Sequence, residues 1–299
     1  MENLENKLLT IVTITYNRRN FLKKLYQSLL NQTSMNFKWL VIDDGSEDGT
    51  SDYINTIAKY NNLFQISLVQ NKNIGKYKEI NKVLSMINTT LTIFIDSDDY
   101  LVSNGVDMIE HTYQKYCKNH EIGSFIFERG DGNEQIPMHK IDREFIDRRY
   151  YYLVKYKKYG DYSDVFVTDA VKKFRFPEFE NEKFMSEGPL YYWFSKKYLS
   201  VFVPKILTVG AYRNGGLTKN IRRNQIKNYN GTLYETNLYL GRDTPLFFRI
   251  KEATLYNYVS LYSPKSYSSA VSLSDHKSIL LLTLIPSIVA VSISKLKGI

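Results

Sequence analysis

The sequence has few of the residues that build disulfides or thiolate metal sites. Its 299 residues include one cysteine, Cys117, and four histidines. A single cysteine excludes an internal disulfide and a cysteine-based zinc site. No secretory signal precedes the first apolar run, so we expect a reducing, cytoplasmic environment.

The sequence also lacks an apolar run long enough to cross a membrane. The segment Ile279–Ile293 has 15 residues and a central Pro286, and Lys295 and Lys297 follow it. A transmembrane helix needs about 20 apolar residues. We therefore expect a helix that lies in the membrane interface, attracted by the basic residues. The alternatives are a helix packed on the protein and a contact between the subunits of a homodimer.

Positive charge and tyrosine are abundant. The 40 lysines and arginines outnumber the 31 acidic residues, giving a net charge of +9, and 25 residues are tyrosine. The charge favours an anionic partner such as nucleic acid, anionic lipid or a phosphorylated substrate. Tyrosine suits carbohydrate and interfacial contacts because its ring is apolar and its hydroxyl is polar.

The first hundred residues alternate between strand-like and helix-like patterns. Four β-branched or apolar runs are separated by segments with apolar residues at helical spacing, and the runs lie in Leu8–Thr15, Trp39–Ile42, Phe64–Val69 and Thr92–Leu101. This order predicts right-handed crossovers and an α/β fold, with a largely parallel sheet between helices.

Polar residues follow each of these four strands. They are Tyr16-Asn17-Arg18, Asp43-Asp44-Gly45-Ser46, Asn71–Lys76 and Asp96-Ser97-Asp98-Asp99. Ligands of open α/β sheets bind outside the carboxyl ends of the strands, where these groups would meet. Acidic and basic groups together suit a nucleotide diphosphate bridged by a divalent metal ion. The alternative is four solvated turns. Nucleic-acid binding would explain the net charge but not the acidic strand ends, so we exclude it.

The motifs TITYNR, VIDDGSEDGT, NKNIGK and FIDSDDYL, in this order and spacing, resemble the nucleotide-binding half of family 2 glycosyltransferases. The resemblance is close from Leu9 to Tyr100 and looser to Lys219. It implies the GT-A fold, with a mostly parallel, Rossmann-like central sheet flanked by helices. We expect a catalytic domain over residues 1–229 and a C-terminal helical extension over residues 230–299.

The resemblance also implies roles for individual residues. Asp44 would contact the base of the nucleotide, and Thr15 and Asn17 would line its pocket. Asp96 would lie near the ribose. Asp98 would hold Mn²⁺ or Mg²⁺ on the diphosphate.

Other residues of these motifs are assigned from their own chemistry. Lys76 follows Asn73 and Gly75 and is placed to meet a phosphate, although a surface lysine is the alternative. Asp43 and Asp99 are expected to support or cap their loops.

The catalytic base falls within a second acidic segment. Glu178, Glu180, Glu182 and Glu187 lie close together before an aromatic helix. Family members carry their base at the start of such a helix, usually as Glu-Asp, whereas this chain has Ser186-Glu187-Gly188. Glu187 is the predicted base and Glu182 the alternative. A carboxylate that only caps a helix would look the same.

The expected function follows from the resemblance. It is an inverting transfer of one sugar from a nucleotide sugar, with UDP as the expected nucleotide, to a lipid-linked oligosaccharide. The enzyme would work at the inner face of the cell membrane in capsule, O-antigen or exopolysaccharide synthesis. The chain lacks the Gln-x-x-Arg-Trp motif of processive synthases. A further expectation puts Tyr212 or Arg213 near phosphate or acceptor.

A nucleotidyltransferase and an inactive scaffold are the alternative functions. A nucleotidyltransferase would carry a glycine-rich loop after the first strand, where this chain has Tyr16-Asn17-Arg18. A catalytically inactive, membrane-bound scaffold of the same fold is the other alternative, because the base motif departs from the usual pattern.

Overall fold

A computed structural model describes residues 7–132, 134–210, 221–264 and 266–296, so Tyr212 and Arg213 lie outside the described residues. The strands are β1 Leu9–Thr15, β2 Phe37–Asp43, β3 Gln65–Gln70, β4 Leu91–Phe94, β5 Tyr100–Leu101, β6 Ile122–Asp131, β7 Phe145–Asp147, β8 Tyr162–Val167 and β9 Leu199–Gly210.

Helices connect and follow these strands. They are α1 Arg19–Leu30, α2 Thr50–Tyr60, α3 Lys76–Val83, α4 Gly105–Tyr116, α5 Arg149–Lys155, α6 Thr168–Val171, α7 Gly188–Lys197, α8 Ile221–Lys227, α9 Tyr229–Leu238, α10 Leu246–Tyr262, α11 Tyr267–Ser272, α12 Lys277–Leu282 and α13 Leu284–Leu296.

The nine described strands form one sheet in the order β3-β2-β1-β4-β8-β6-β9-β5, and β7 pairs with β9 at the side. The first four strands are all parallel. β8 then runs antiparallel to both β4 and β6, while β6 and β9 are parallel to each other. The α/β class predicted from the sequence is confirmed. The parallel part of the sheet is formed by β1 to β4, where strands and helices alternate along the chain.

Two apolar layers cover the sheet because side chains alternate along its strands. Leu9 and Ile11 of β1 pack on one side with α1, α2 and α4. Val12 packs on the other side with α3 and α7. The carboxyl ends of β1, β2, β3 and β4 therefore open at one edge between the two layers, and the candidate site lies there.

The C-terminal helices have an apolar core of their own. It joins α9, α10, α12 and α13, and its buried members include Leu233, Tyr256, Leu280 and Val291. The apolar tail segment is divided into α12 and α13 at Thr283 instead of forming one helix. Pro286 thereby falls in the first turn of α13, where its missing N–H breaks no hydrogen bond. None of the helices within the described ranges is both long and apolar enough to span a membrane.

Candidate active site

Side-chain hydrogen bonds join the loop that follows β1 to the loop that follows β2. Asn17 has a positive φ of 52°. Its backbone N–H donates to Ser46 Oγ at 2.8 Å, and its Oδ1 accepts from the Glu47 N–H at 2.8 Å. Asp43 closes the second loop by accepting from the Ser46 N–H at 2.9 Å and from the Ser51 hydroxyl. Asn17 is thus a cross-link between two loops, and Asp43 supports its own loop as the sequence suggested.

Asp44 joins the loop that follows β2 to the loop that follows β3. Its two carboxylate oxygens accept from the N–H groups of Ile74, at 2.7 Å, and Gly75, at 3.0 Å. Burial raises the pKa of Asp44, and these two hydrogen bonds partly oppose that rise. Gly75 has a φ of +98°, and a Cβ there would lie 2.0 Å from the Lys183 carbonyl oxygen. Only glycine fits between Asp44 and the chain at Lys183.

Thr15 ends β1 and pairs in register with Asp43. Its side chain is buried, and its hydroxyl finds no hydrogen-bond partner among the described residues. A buried hydroxyl without a partner is costly. Thr15 thus lies at the carboxyl end of β1, at the edge where the loops meet, but its hydroxyl is not reached from the surface.

Lys76 brings together residues from three separate segments. Its Nζ lies 2.7 Å from Asp96 Oδ1, after β4, and 2.7 Å from Glu187 Oε1, before α7. Burial alone would lower the pKa of Lys76, but the two carboxylates raise it well above its usual value. Lys76 in turn lowers the pKa of Asp96. The side chains of Lys76 and Glu187 are 36% and 37% exposed, so this charged cluster is open to a ligand.

The other acidic residues after β4 also have basic partners. Asp98 Oδ2 lies 3.1 Å from Arg18 Nη1. Asp99 is buried and binds Arg129 through two hydrogen bonds, at 2.8 and 2.7 Å. Burial raises the pKa of Asp99, and Arg129 opposes that rise. Asp99 thus anchors its loop to β6, whereas the side chain of Asp98 is the more exposed of the two, at 27% against 10%.

The donor atoms at this edge fit a divalent ion that is bound mainly through a substrate. No group of three His, Cys, Asp or Glu side chains converges within the described part of the chain. Asp98 supplies hard carboxylate oxygens beside the loops of the sheet edge. Mg²⁺ is commonly bound by one or two carboxylates together with substrate phosphates. The set therefore fits Mn²⁺ or Mg²⁺ carried on a diphosphate.

Glu182 and Glu187 have different surroundings. Glu182 is buried and accepts from Asn230 N–H at 2.8 Å, Asn230 Nδ2 at 3.0 Å and Gly231 N–H at 2.8 Å, at the start of α9. Glu187 precedes α7 but its side chain accepts no capping hydrogen bond. Ser186 Oγ accepts from the Gly188 N–H at 3.0 Å instead. Glu182 is committed to α9, whereas Glu187 faces Lys76.

A buried ion pair behind the site has no signal in the sequence. Arg149 donates to Asp164 at 2.5 and 2.9 Å. The centre of its guanidinium lies 3.5 Å from the Tyr191 ring centroid. The pair connects α5, β8 and α7, and so it fixes the helix that follows Glu187. Arg129 was missed for the same reason, since a lone arginine inside a strand pattern indicates nothing about its partner.

The chain is similar in sequence to known glycosyltransferases. Residues 10–175 match the family model described as glycosyl transferase family 2. The chain is 23% identical over 308 residues to the GalNAc(5)-diNAcBac-PP-undecaprenol beta-1,3-glucosyltransferase of Campylobacter jejuni, with 97% of both chains covered. It is 29% identical over 98 residues to EpsH of Bacillus subtilis, described as a glycosyltransferase, but spans only 28% of that protein.

A solved structure shares the fold. The chain superposes on residues 1–349 of Staphylococcus aureus TarS in complex with UDP-GlcNAc with a TM-score of 0.60 and 16% identity, covering 97% of this chain and 92% of that one. The GT-A architecture expected from the sequence motifs is confirmed by this superposition.

Proposed function

The chain belongs to glycosyl transferase family 2, and we propose that it moves one sugar from a UDP-sugar to a hydroxyl of a lipid-linked oligosaccharide, with inversion at the anomeric carbon. The observation that carries the proposal is the position of Lys76 between Asp96 and Glu187. It places a cation suited to a diphosphate next to a carboxylate suited to a hydroxyl proton.

The nucleotide would lie over the strand exits. The Thr15 hydroxyl, which has no hydrogen-bond partner among the described residues, would turn toward the nucleotide, and the Asp44 oxygens keep further lone pairs for a base N–H. Asn17 holds the two loops beneath the nucleotide at a fixed separation. Asp96 lies where a ribose hydroxyl would donate to it, and Asp98 is the expected ligand of Mn²⁺ or Mg²⁺. The ion would neutralise charge on the departing diphosphate.

Glu187 would take the proton of the acceptor hydroxyl. The hydroxyl oxygen forms a bond to the anomeric carbon while the bond from that carbon to the diphosphate oxygen breaks, and its electron pair leaves with UDP. A positioned general base contributes about 10²–10⁴-fold to such a rate. Glu187 can act only after Lys76 turns from it, and the diphosphate supplies a stronger anion for Lys76 to meet.

The acceptor and the membrane location are supported by the C-terminal helices and by one relative. The Campylobacter enzyme, matched over 97% of its length, is named for an undecaprenol-diphosphate acceptor. In this chain α12 and α13 expose apolar side chains, and those most exposed are Leu281, Leu282 and Ile285, at 64%, 76% and 75%. An exposed apolar strip on a basic protein suits a peripheral position at the anionic inner face of the membrane.

Activity is tested by UDP release. The full-length protein is incubated with Mn²⁺ and each of UDP-glucose, UDP-galactose, UDP-GlcNAc and UDP-GalNAc, with and without undecaprenyl-diphosphate-linked N-acetylgalactosamine. We expect at least one donor to release UDP, and the acceptor to accelerate that release. A folded protein that releases UDP from no donor under any of these conditions would contradict the proposal and favour an inactive scaffold.

Membrane association is tested by flotation with vesicles of phosphatidylcholine and phosphatidylglycerol. We expect the protein to float, and the variant Leu281→Ser/Leu282→Ser/Ile285→Ser to remain at the bottom of the gradient. The matched control replaces Leu63, Met86 and Ile136, which are also exposed apolar residues, by serine and should float. Wild-type protein that stays at the bottom with anionic vesicles rules the idea out.

A further inference from the structure

A cavity of about 380 Å³ lies on the helical side of the candidate active site. Two of its lining residues are Ser186 and Gly188, the chain neighbours of Glu187, and Tyr191 one turn later in α7 also lines it. Among the described lining residues, none comes from the exits of β1 to β4. The Glu187 side chain thus faces Lys76 and the loops after the strands. The cavity lies on the other side, next to the Glu187 backbone.

The cavity has an aromatic wall. Tyr150 and Tyr239 stack with ring centroids 5.3 Å apart, and Phe248 packs on Tyr239 at 5.8 Å. All three line the cavity. Rings of this kind pack against the C–H face of a pyranose, which is the apolar side of an otherwise polar molecule.

Two carboxylates face the same space. Glu235 accepts from the Ser186 hydroxyl at 2.5 Å and from the Tyr239 hydroxyl at 3.4 Å, and among the described residues both bonds fall on Oε1. Its Oε2 is therefore available to a ligand. Glu252, 6% exposed, also lines the cavity and pairs with Lys251 at 3.3 Å. Carboxylates held in a poorly solvated space are costly unless hydroxyl or cationic groups meet them.

We propose that this cavity is a binding site for a sugar residue of the acceptor, which Glu235 and Glu252 hold by accepting from its hydroxyls. The inference rests on the proposed function and identifies where the acceptor lies. A pyranoside can donate hydrogen bonds to both acidic side chains, and Arg222 and Lys251, which also line the cavity, can donate to its oxygens. The volume is within the range of about 300–1,000 Å³ typical of small-molecule sites. A sugar seated there would lie next to Ser186 and Gly188, the chain neighbours of Glu187.

Binding is tested with simple glycosides by saturation-transfer NMR on the full-length protein. The probes are the methyl β-glycosides of glucose, galactose, GlcNAc and GalNAc. We expect at least one to bind at pH 8, where Glu235 is ionised although burial raises its pKa to about 7. Glu235→Gln and Glu252→Gln should each weaken that binding about tenfold, since each variant loses a charge-assisted hydrogen bond. Glu121→Gln, at an exposed glutamate, is the matched control and should bind as the wild type does. Absence of binding by every glycoside, or binding unchanged in both cavity variants, would overturn the proposal.

A second experiment tests whether the cavity binds the acceptor sugar or the donor sugar. UDP-GlcNAc and UDP-glucose are added with Mn²⁺ to the glycoside complex, and their own binding is followed by thermal shift. We expect the glycoside to stay bound, because donor and acceptor sites are distinct, and the cavity variants to keep wild-type donor shifts. Displacement of the glycoside by a UDP-sugar would instead assign the cavity to the donor sugar and overturn the proposal. If no UDP-sugar binds while glycosides do, the proposed function fails and the sugar site stands.

Discussion

The two halves of the site place their functional groups by different means. In the nucleotide half, Thr15, Asp44 and Asp96 each stand at or just after the end of a buried strand, so the sheet itself brings them together. In the helical half, Glu187, Glu235 and Arg149 belong to different helices or their caps, and tertiary packing alone places them. The first arrangement can be recognised from the strand pattern of a sequence. In the second, only Glu187 could be expected, from the family resemblance.

The two halves meet at Lys76. It begins α3 in the nucleotide half, yet it is bonded to Glu187 of the helical half. In the proposed function, the same residue connects the donor site to the base. If the two halves differ in this way, variants in the nucleotide half and variants in the helical half should lose different properties.

The largest effect is expected from Asp98→Ala. Loss of the carboxylate proposed to hold the metal ion would remove several kcal/mol of charge stabilisation, or about 10³–10⁴-fold in the transfer rate. Steady-state kcat/KM for UDP release measures it, and the melting temperature should stay near the wild-type value because the side chain is partly exposed. Asp52→Ala, at an exposed acid of α2, is the control. Equal activity in the two variants would remove Asp98 from the site.

Glu187→Gln should separate chemistry from donor binding. We expect kcat to fall about 10³-fold, near the middle of the range for a general base, with the donor Kd unchanged. Glu182→Gln should instead lower the stability of the protein, because it weakens three hydrogen bonds at the start of α9. It should cost about 1–3 kcal/mol of unfolding free energy and leave kcat nearly intact. Urea unfolding and kcat, measured for both variants, decide between the two glutamates, and the opposite outcome would make Glu182 the base.

Asp164→Asn tests whether packing positions the helical half. Removing one partner of the buried Arg149–Asp164 pair leaves an uncompensated charge, at a cost of about 3–5 kcal/mol. We expect a lower urea midpoint together with a reduced kcat, because the start of α7 moves. The control Asp142→Asn breaks an exposed pair with Lys158 and should change stability by about 1 kcal/mol or less. If both variants unfold alike, the buried pair is not what fixes α7.

The smallest effect concerns pH. Burial raises the pKa of Glu235 from its ordinary value of 4.5 to about 7. Because the folded state holds this proton more tightly than the unfolded state, folding is favoured below the unfolded pKa and loses stability as pH rises toward 7. We expect a loss on the order of 1 kcal/mol, allowing for partial exposure. Melting curves between pH 5 and 8 should show a shallower decline in Glu235→Gln. Parallel curves would place the pKa of Glu235 near its ordinary value.

Much of the nucleotide half could be predicted from sequence. The four apolar runs predicted the parallel strands. The polar residues after them predicted the edge of the sheet at which Asn17, Asp44 and Lys76 lie. The helical half could not be predicted in the same way. The carboxylates at 182 and 187 look alike in the sequence, and only the packing of α9 against residue 182 distinguishes them. The partners Arg129, Arg149 and Glu235 depend on contacts between segments far apart in the chain, which no periodicity encodes.

The most direct test of the central claim is calorimetric titration of UDP-sugars, with Mn²⁺, into wild type, Lys76→Met and Glu187→Gln. The account predicts saturable binding of at least one UDP-sugar to wild type. Lys76→Met should bind it about tenfold or more weakly, because a charge-assisted contact to phosphate is lost, and Glu187→Gln should bind it as wild type does. Wild-type protein that binds no UDP-sugar, or Lys76→Met that binds as tightly as wild type, would contradict a site in which Lys76 links donor and base.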